Sequence, residues 1–346
     1  MKLADFDYHI PAELIAQEPS KDRDHSRLLV VDRKKGTLHE SFFYELPDFL
    51  KKGDALVIND SKVIPARLWG EKETGGIIEI LLLTRRCDSQ SIPEVWEVLL
   101  KPAKRIRRGT KILFGTNGAA TVLEKLAGKK WLLSFATDTA FEQFLHTQGK
   151  APLPPYIKRK KETAKSGYDL ERYQTIYARI PGSVAAPTAG LHFSPQVLTA
   201  LRNRGIGIAP VTLHVGYGTF LPVETDTVEE HVMEEEFFEI SQETADIING
   251  AKRVIAVGST STRVIESVAD ENGLVAPFSG STGLYIYPGY RFRSVHALLT
   301  NFHLPKSTLY LLVCGFAGKE LIQKAYRYAI ENRFRFYSYG DCTLIL

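Results

Sequence analysis

Residues 68–144 carry five short β-rich runs, at 77–83, 95–100, 111–114, 120–126 and 131–135, with turn signals at Gly75-Gly76, Gly109, Asn117-Gly118 and Gly128. Runs of this length, broken by turns about every 8 to 15 residues, predict a small antiparallel barrel or sandwich. Pro152, Pro154 and Pro155 end the stretch with stiff backbone suited to a boundary. Beyond it the period changes to helix and strand in alternation. Ser194 is placed to cap a helix that starts at Pro195, shows Val197, Leu198 and Leu201 on one face and ends at Gly205. An apolar run follows over 206–215, then a Ser241-capped helix to Gly250, a buried strand over 253–258 and a helix over 262–269. A last helix is predicted over 319–332 and a terminal strand over 342–346.

The N-terminal strands, Arg27 to Asp32 and Asp54 to Asn59, share the character of this second region rather than of the β-rich one. The expected fold is therefore α/β: a mixed-sheet main domain built from both ends of the chain, residues 1–67 and 151–346, with a smaller antiparallel β-barrel domain, 68–150, inserted after Arg67.

The 346 residues suffice for two such units. With 44% hydrophobic and 24% charged residues the composition is that of a folded globular chain. The most apolar run, 309–317, is too short to cross a bilayer, and the charged residues Lys2, Asp5, Asp7 and Glu13 interrupt any secretory leader, so a cytoplasmic protein is expected. Cys87, Cys314 and Cys342 are odd in number and lack metal spacing, which argues against disulfides and structural zinc. Net charge is only +4, but it is segregated. Residues 101–111 hold six basic groups and no acid, 158–165 hold five against Glu162, and 224–239 hold eight acids and no base. An acidic run of this kind is most simply a solvated face, whereas either basic patch is suited to phosphates.

No Walker loop, dinucleotide glycine fingerprint, zincin helix or nucleophile elbow occurs. What remains are loops at strand ends, where an open α/β sheet binds ligands. The small-residue stretch 182–190 leads into His192, and His214 precedes the glycine turn Gly216 to Gly218. The stretch 258–263, GSTSTR, reads as a hydroxyl-rich loop opening a helix and suited to an anion. Residues 300–307 offer an amide and His303, and 337–341 offer tyrosines and Asp341. Each also has a plain structural reading, as tight packing, a satisfied core histidine, helix capping or turn chemistry.

Taken in order, SVAAPTAGLHF, VTLHVGYGTFLPV, VGSTSTRVIES, LYIYPGYRFRSVHALLTNFHLPKSTL and YSYGD, with INDSKVIPARL and LPPYIKR, resemble the S-adenosylmethionine:tRNA ribosyltransferase-isomerases of queuosine biosynthesis. The resemblance runs from Phe6 to Leu344. Three positions depart from the family pattern: Glu234 follows His231 where a second histidine is expected, Lys62 replaces a common arginine, and His296 stands where aspartate is usual.

The resemblance implies transfer and isomerisation of the ribosyl group of S-adenosylmethionine, a co-substrate, onto 7-aminomethyl-7-deazaguanine at the tRNA wobble position. Epoxyqueuosine is formed and adenine and methionine leave. A base must take a proton from the 5′ methylene beside the sulfonium, and an acid or donor must help adenine depart. On that footing His192 and His214 are the first candidates for acid–base work, with Asp341 and His303 behind them. The cofactor contacts fall to Gly190, Gly216, Gly218, Ser259, Thr260 and Arg263, with Tyr217, Phe220 or Tyr339 facing the sulfonium. Lys101, Lys104, Arg105, Arg107, Lys158 and Arg159 would hold tRNA backbone. No metal is required, and a monomer is expected. The rival readings are an S-adenosylmethionine-dependent RNA methyltransferase and a non-catalytic tRNA-binding protein.

Overall fold

The structure, a computed structural model, describes residues 1–86, 94–159, 166–216, 218 and 222–346. Its largest element is a nine-stranded mixed sheet. At its centre four strands run parallel in the order Gly207–Leu213, Asp54–Asn59, Arg253–Val257, Ala297–Asn301. Cys342–Ile345 lies antiparallel to Ala297–Asn301 and parallel to Arg27–Asp32, whose hairpin partner Thr37–Phe42 forms one edge. Glu236–Ile240 and Phe278–Thr282 extend the other edge antiparallel.

Asp54–Asn59 and Ala297–Asn301 are buried at every position, the pattern of strands covered on both faces. Because side chains alternate, the same strands feed two cores: Val57, Ala256 and Leu298 pack into one, and Leu56, Ile255 and Leu299 into the other. Helix Pro195–Asn203 covers the second face with Val197, Leu198 and Leu201, and Ser194 accepts the Val197 amide at 3.2 Å as its cap. Gln242–Asn249, capped by Ser241, and Gly258–Val268 and Thr308–Ala317 cover the first.

The second unit is a closed six-stranded barrel in the order Lys130–Thr137, Glu94–Lys101, Ile77–Arg85, Arg67–Lys72, Lys111–Leu113, Gly118–Lys125. Leu68, Ile80, Val98, Ile112, Val122 and Leu133 fill it, and helix Phe141–Gln148 plugs it with Phe141 and Phe144. At Gly70 a Cβ would lie 2.5 Å from the Ile112 side chain, so the wall closes there only on glycine.

Two sequence expectations are corrected. GSTSTR is not a loop: the helix starts at Gly258 itself, with no side-chain cap. The acidic stretch is not simply a solvated face, because Glu236–Ile240 is a strand and Glu236 is buried.

Candidate active site

The carboxyl ends of the four parallel strands open on one edge of the sheet. There Val215, Gly258 to Thr260 and Asn301 to Leu304 meet the loop 186–189, with Tyr156 and Ser338 closing the far wall of a cavity. This is the position at which open parallel sheets bind ligands. The cavity measures about 50 Å³, room for little more than water. A neighbouring hollow shares Ser259, Thr260 and Leu309 with it and reaches Arg263 and Tyr285.

Gly258, at φ +83°, lets the chain leave the strand and enter the helix without a linker, while Ala189 packs 3.4 Å from where its Cβ would be. The Thr262 hydroxyl bonds back to the Gly258 carbonyl at 3.0 Å. The buried Thr260 and Ser261 hydroxyls have no partner among the described residues, and Thr260 lines the cavity. A buried hydroxyl without a partner costs free energy, which a ligand atom there would recover.

One buried polar chain sets the back wall. Asn301 donates its amide to His192 Nε2 at 3.1 Å and to the Tyr337 carbonyl at 3.2 Å, and its Oδ1 accepts from Thr188 at 3.1 Å. His192 Nε2 is thereby an acceptor, which leaves Nδ1–H to donate to Ser26 Oγ at 3.0 Å. Both ring nitrogens are engaged, and His192 holds Asn301 from behind the wall without lining the cavity itself. Burial, with the charges of Arg23 and Arg335, pushes its pKa down to about 3, so it is neutral at physiological pH. His303 does line the cavity. Its Nε2 lies 2.8 Å from the Thr300 hydroxyl, and burial takes its pKa to about 3 as well.

The other predicted positions divide sharply. His214 does not line the cavity, since its neighbour Val215 does. Its Nδ1 is buried without a partner among the described residues, its ring stacks on Phe237 at 6.1 Å, and burial lowers its pKa against the pull of Asp60. Asp341 accepts the Arg27 amide at 2.9 Å and the Arg335 amide at 2.7 Å, so both oxygens tie chain segments together. Arg263 lines the neighbouring hollow, where it pairs with Glu236 and donates to the Leu284 carbonyl at 2.9 Å and the Thr282 carbonyl at 3.3 Å. Glu236 in turn accepts the Gly216 amide at 2.7 Å, holding that turn. Gly190 is a packing glycine, since a Cβ would meet the Tyr177 hydroxyl at 2.1 Å, and Gly218 sits against Glu234. Tyr339 is buried against Tyr173, and Tyr217 and Phe220 lie outside the described residues.

Lys101, Lys104, Arg105, Arg107 and Lys158 are exposed. The Arg159 guanidinium is engaged by Asp169 at 2.9 to 3.2 Å and by the Gln17 carbonyl at 2.8 Å. The remainder of the basic run, 160–165, lies outside the described residues. Among the described residues no three His, Cys, Asp or Glu side chains gather as metal ligands. His296 accepts the Val254 amide at 3.2 Å at the opposite edge of the sheet, Lys62 is exposed, and Glu234 pairs with Lys130 of the barrel.

Sequence reasoning missed Ser26, Thr188 and Asp60. Asp60 is buried, accepting from Thr212 at 2.6 Å and from Arg179 at 2.9 Å. The signal was a polar pair, Asn59-Asp60, directly after the apolar run 55–58 of a fully buried strand at the binding edge. Gly182 lies against His214: at φ +139°, its Cβ would stand 2.8 to 3.2 Å from the imidazole atoms. Gly182→Ala would strain the backbone as well as displace the ring, so His214→Asn is the cleaner probe: if His214 takes part in turnover, kcat is expected to fall about tenfold or more, and an unchanged kcat dismisses His214.

Residues 3–345 match the family described as "Queuosine biosynthesis protein". A protein named S-adenosylmethionine:tRNA ribosyltransferase-isomerase from Syntrophus aciditrophicus is 60% identical over 361 aligned positions, covering 100% of both chains. Proteins of the same name from Geobacter metallireducens and Acetivibrio thermocellus are 49% and 50% identical with the same coverage. The crystal structure of an S-adenosylmethionine tRNA ribosyltransferase from Thermotoga maritima matches with a TM-score of 0.55 and 34% identity, over 99% of this chain and 100% of that one.

Proposed function

The chain belongs to the queuosine biosynthesis protein family, and on that premise we propose that it is a ribosyltransferase-isomerase: it moves the ribosyl group of S-adenosylmethionine onto 7-aminomethyl-7-deazaguanine at the tRNA wobble position, yielding epoxyqueuosine, adenine and methionine. The observation that carries this reading is identity spread over the full length of both chains, with no part of either left over. The cavity at the carboxyl edge supports it as the site of S-adenosylmethionine. Its small-residue wall at 186–189, Gly258 and the unpartnered Thr260 hydroxyl suit a close-fitting polar ligand. At about 50 Å³ the cavity must widen to take one, and the hollow across Ser259 and Leu309 is the nearest space to merge with it.

His303 is the imidazole on that wall; burial keeps it neutral at pH 7 but also makes it a weak base, so it is placed to hydrogen-bond the ligand rather than to hold the proton of the methylene beside the sulfonium. Asn301 is fixed at the same wall with both amide hydrogens committed, so what it presents to a ligand is the second lone pair of Oδ1. In this reading the main α/β domain, 1–67 and 151–346, carries the chemistry, and the barrel domain, 68–150, with its exposed Lys101, Lys104, Arg105 and Arg107 holds RNA. The protein acts as a cytoplasmic monomer, and among the described residues no helix is long and apolar enough to cross a membrane.

The test is mass spectrometry of the small molecules released from S-adenosylmethionine and a tRNA bearing the aminomethyl-deazaguanine. Adenine and methionine in equal amounts, with a heavier tRNA, are expected. S-adenosylhomocysteine would make the protein a methyltransferase, and tRNA binding without consumption would make it a binding protein.

A further inference from the structure

A groove of about 560 Å³ lies where the barrel meets the segment 154–157 and shares no lining residue with the cavity. Its floor is apolar, made by Leu81, Leu99, Trp131, Pro154, Pro155 and Ile157. Its rim is basic, with Lys101, Lys125 and Lys129 contributed by different barrel strands and turns. None of these lysines has an ion-pair partner among the described residues. Among the described residues of the lining the only acid is Glu79, which faces Arg67 at 3.5 Å. The Lys125 ammonium stands 6.0 Å from the Trp131 ring centre.

Two features give the groove an occupant. It extends from Lys101 of the first basic stretch to Ile157, which directly precedes Lys158. The segment 154–157 also serves two sites. Tyr156 turns into the cavity and bonds Ser338 at 2.7 Å, while Pro154, Pro155 and Ile157 line the groove. Whatever fills the groove therefore sits one wall away from the cavity. An apolar floor with a rim of unpaired cations matches a nucleobase with its flanking phosphates, and the volume falls within the range of small-ligand sites.

We propose that this groove binds an unpaired nucleotide of the substrate RNA adjacent in the chain to the one that reacts, and so delivers the reacting base to the cavity across Tyr156. The proposal rests on the function proposed above. Its test is the variant Lys125→Ala/Lys129→Ala, both exposed side chains, assayed with an anticodon stem-loop RNA bearing the aminomethyl-deazaguanine for affinity, salt dependence and adenine release. The control variant Lys34→Ala/Lys51→Ala removes the same charge from exposed lysines at the opposite edge of the sheet. The groove variant is expected to bind RNA at least tenfold more weakly, with a logarithmic salt slope smaller by about two, and an unchanged KM for S-adenosylmethionine. Unchanged RNA affinity and slope would overturn the proposal, as would an equal loss in the control. Should the unmodified protein bind the stem-loop through the groove yet release no adenine, the groove stands and the ribosyltransferase reading fails.

Discussion

Arg263→Ala is expected to cost the fold about 3 to 5 kcal/mol, the range for breaking a buried ion pair by removing one partner. Both side chains of the pair are only 6% exposed, so Glu236 would lose its buried counter-charge. The carbonyls of Leu284 and Thr282 would lose their donor in the same step. Glu236 also fixes the Gly216 amide, so the damage spreads to the turn beside the candidate site. The double variant Arg263→Met/Glu236→Gln is expected to recover much of the loss, because it removes both charges and keeps an acceptor for that amide. Urea denaturation of the three proteins checks this. If Arg263 instead held the carboxylate of a substrate, Arg263→Ala would unfold at the wild-type midpoint and show its defect only in KM.

That contrast shows what local sequence can convey. Ser194 and Ser241 were recognisable as caps because the partner amide is three residues away, within the same turn. The barrel strands were legible from alternation alone: Lys130–Thr137 buries every second residue along most of its length. The stretch 258–263 was misread because Ser and Thr favour caps and loops when only their neighbours are considered. Burial against the sheet overrides that preference, and the helix runs straight from the strand. The acid-rich run hid a strand for a related reason, since the cation that permits Glu236 to be buried lies 27 residues away. The site was half legible. His192 and His303 stood out as residues, but the partners that settle the hydrogen-bonding of His192 come from Ser26 and Asn301, separated from it by 166 and 109 positions. Only the closed sheet brings those three together.

Stability is expected to fall steeply as the medium is acidified from pH 7 to pH 5. His192 and His303 are neutral in the folded protein, with pKa values near 3, whereas in the unfolded chain they titrate near 6.5. Between those limits the unfolded state binds more protons, so their contribution is complete above about pH 6.5 and is lost progressively down to about pH 3. At pH 5 the loss is about 2 kcal/mol for each histidine, or about 4 together, a large share of the roughly 5 to 15 kcal/mol that holds a domain folded. His214 and His231, whose pKa values burial also lowers, act in the same direction. Asp341, raised by burial, acts in the opposite one and at lower pH. Urea unfolding at pH 8, 7, 6 and 5 should show little change down to pH 7 and an uptake of about two protons on unfolding near pH 5. A flat profile would mean that the two rings are solvated. With its pKa near 3, His192 leaves kcat/KM featureless between pH 6 and 7 in either role, so replacement decides between them. As the group that orients Asn301, His192→Gln, which keeps an acceptor for the Asn301 amide, retains far more activity than His192→Ala; as a general acid or base, both lose activity equally.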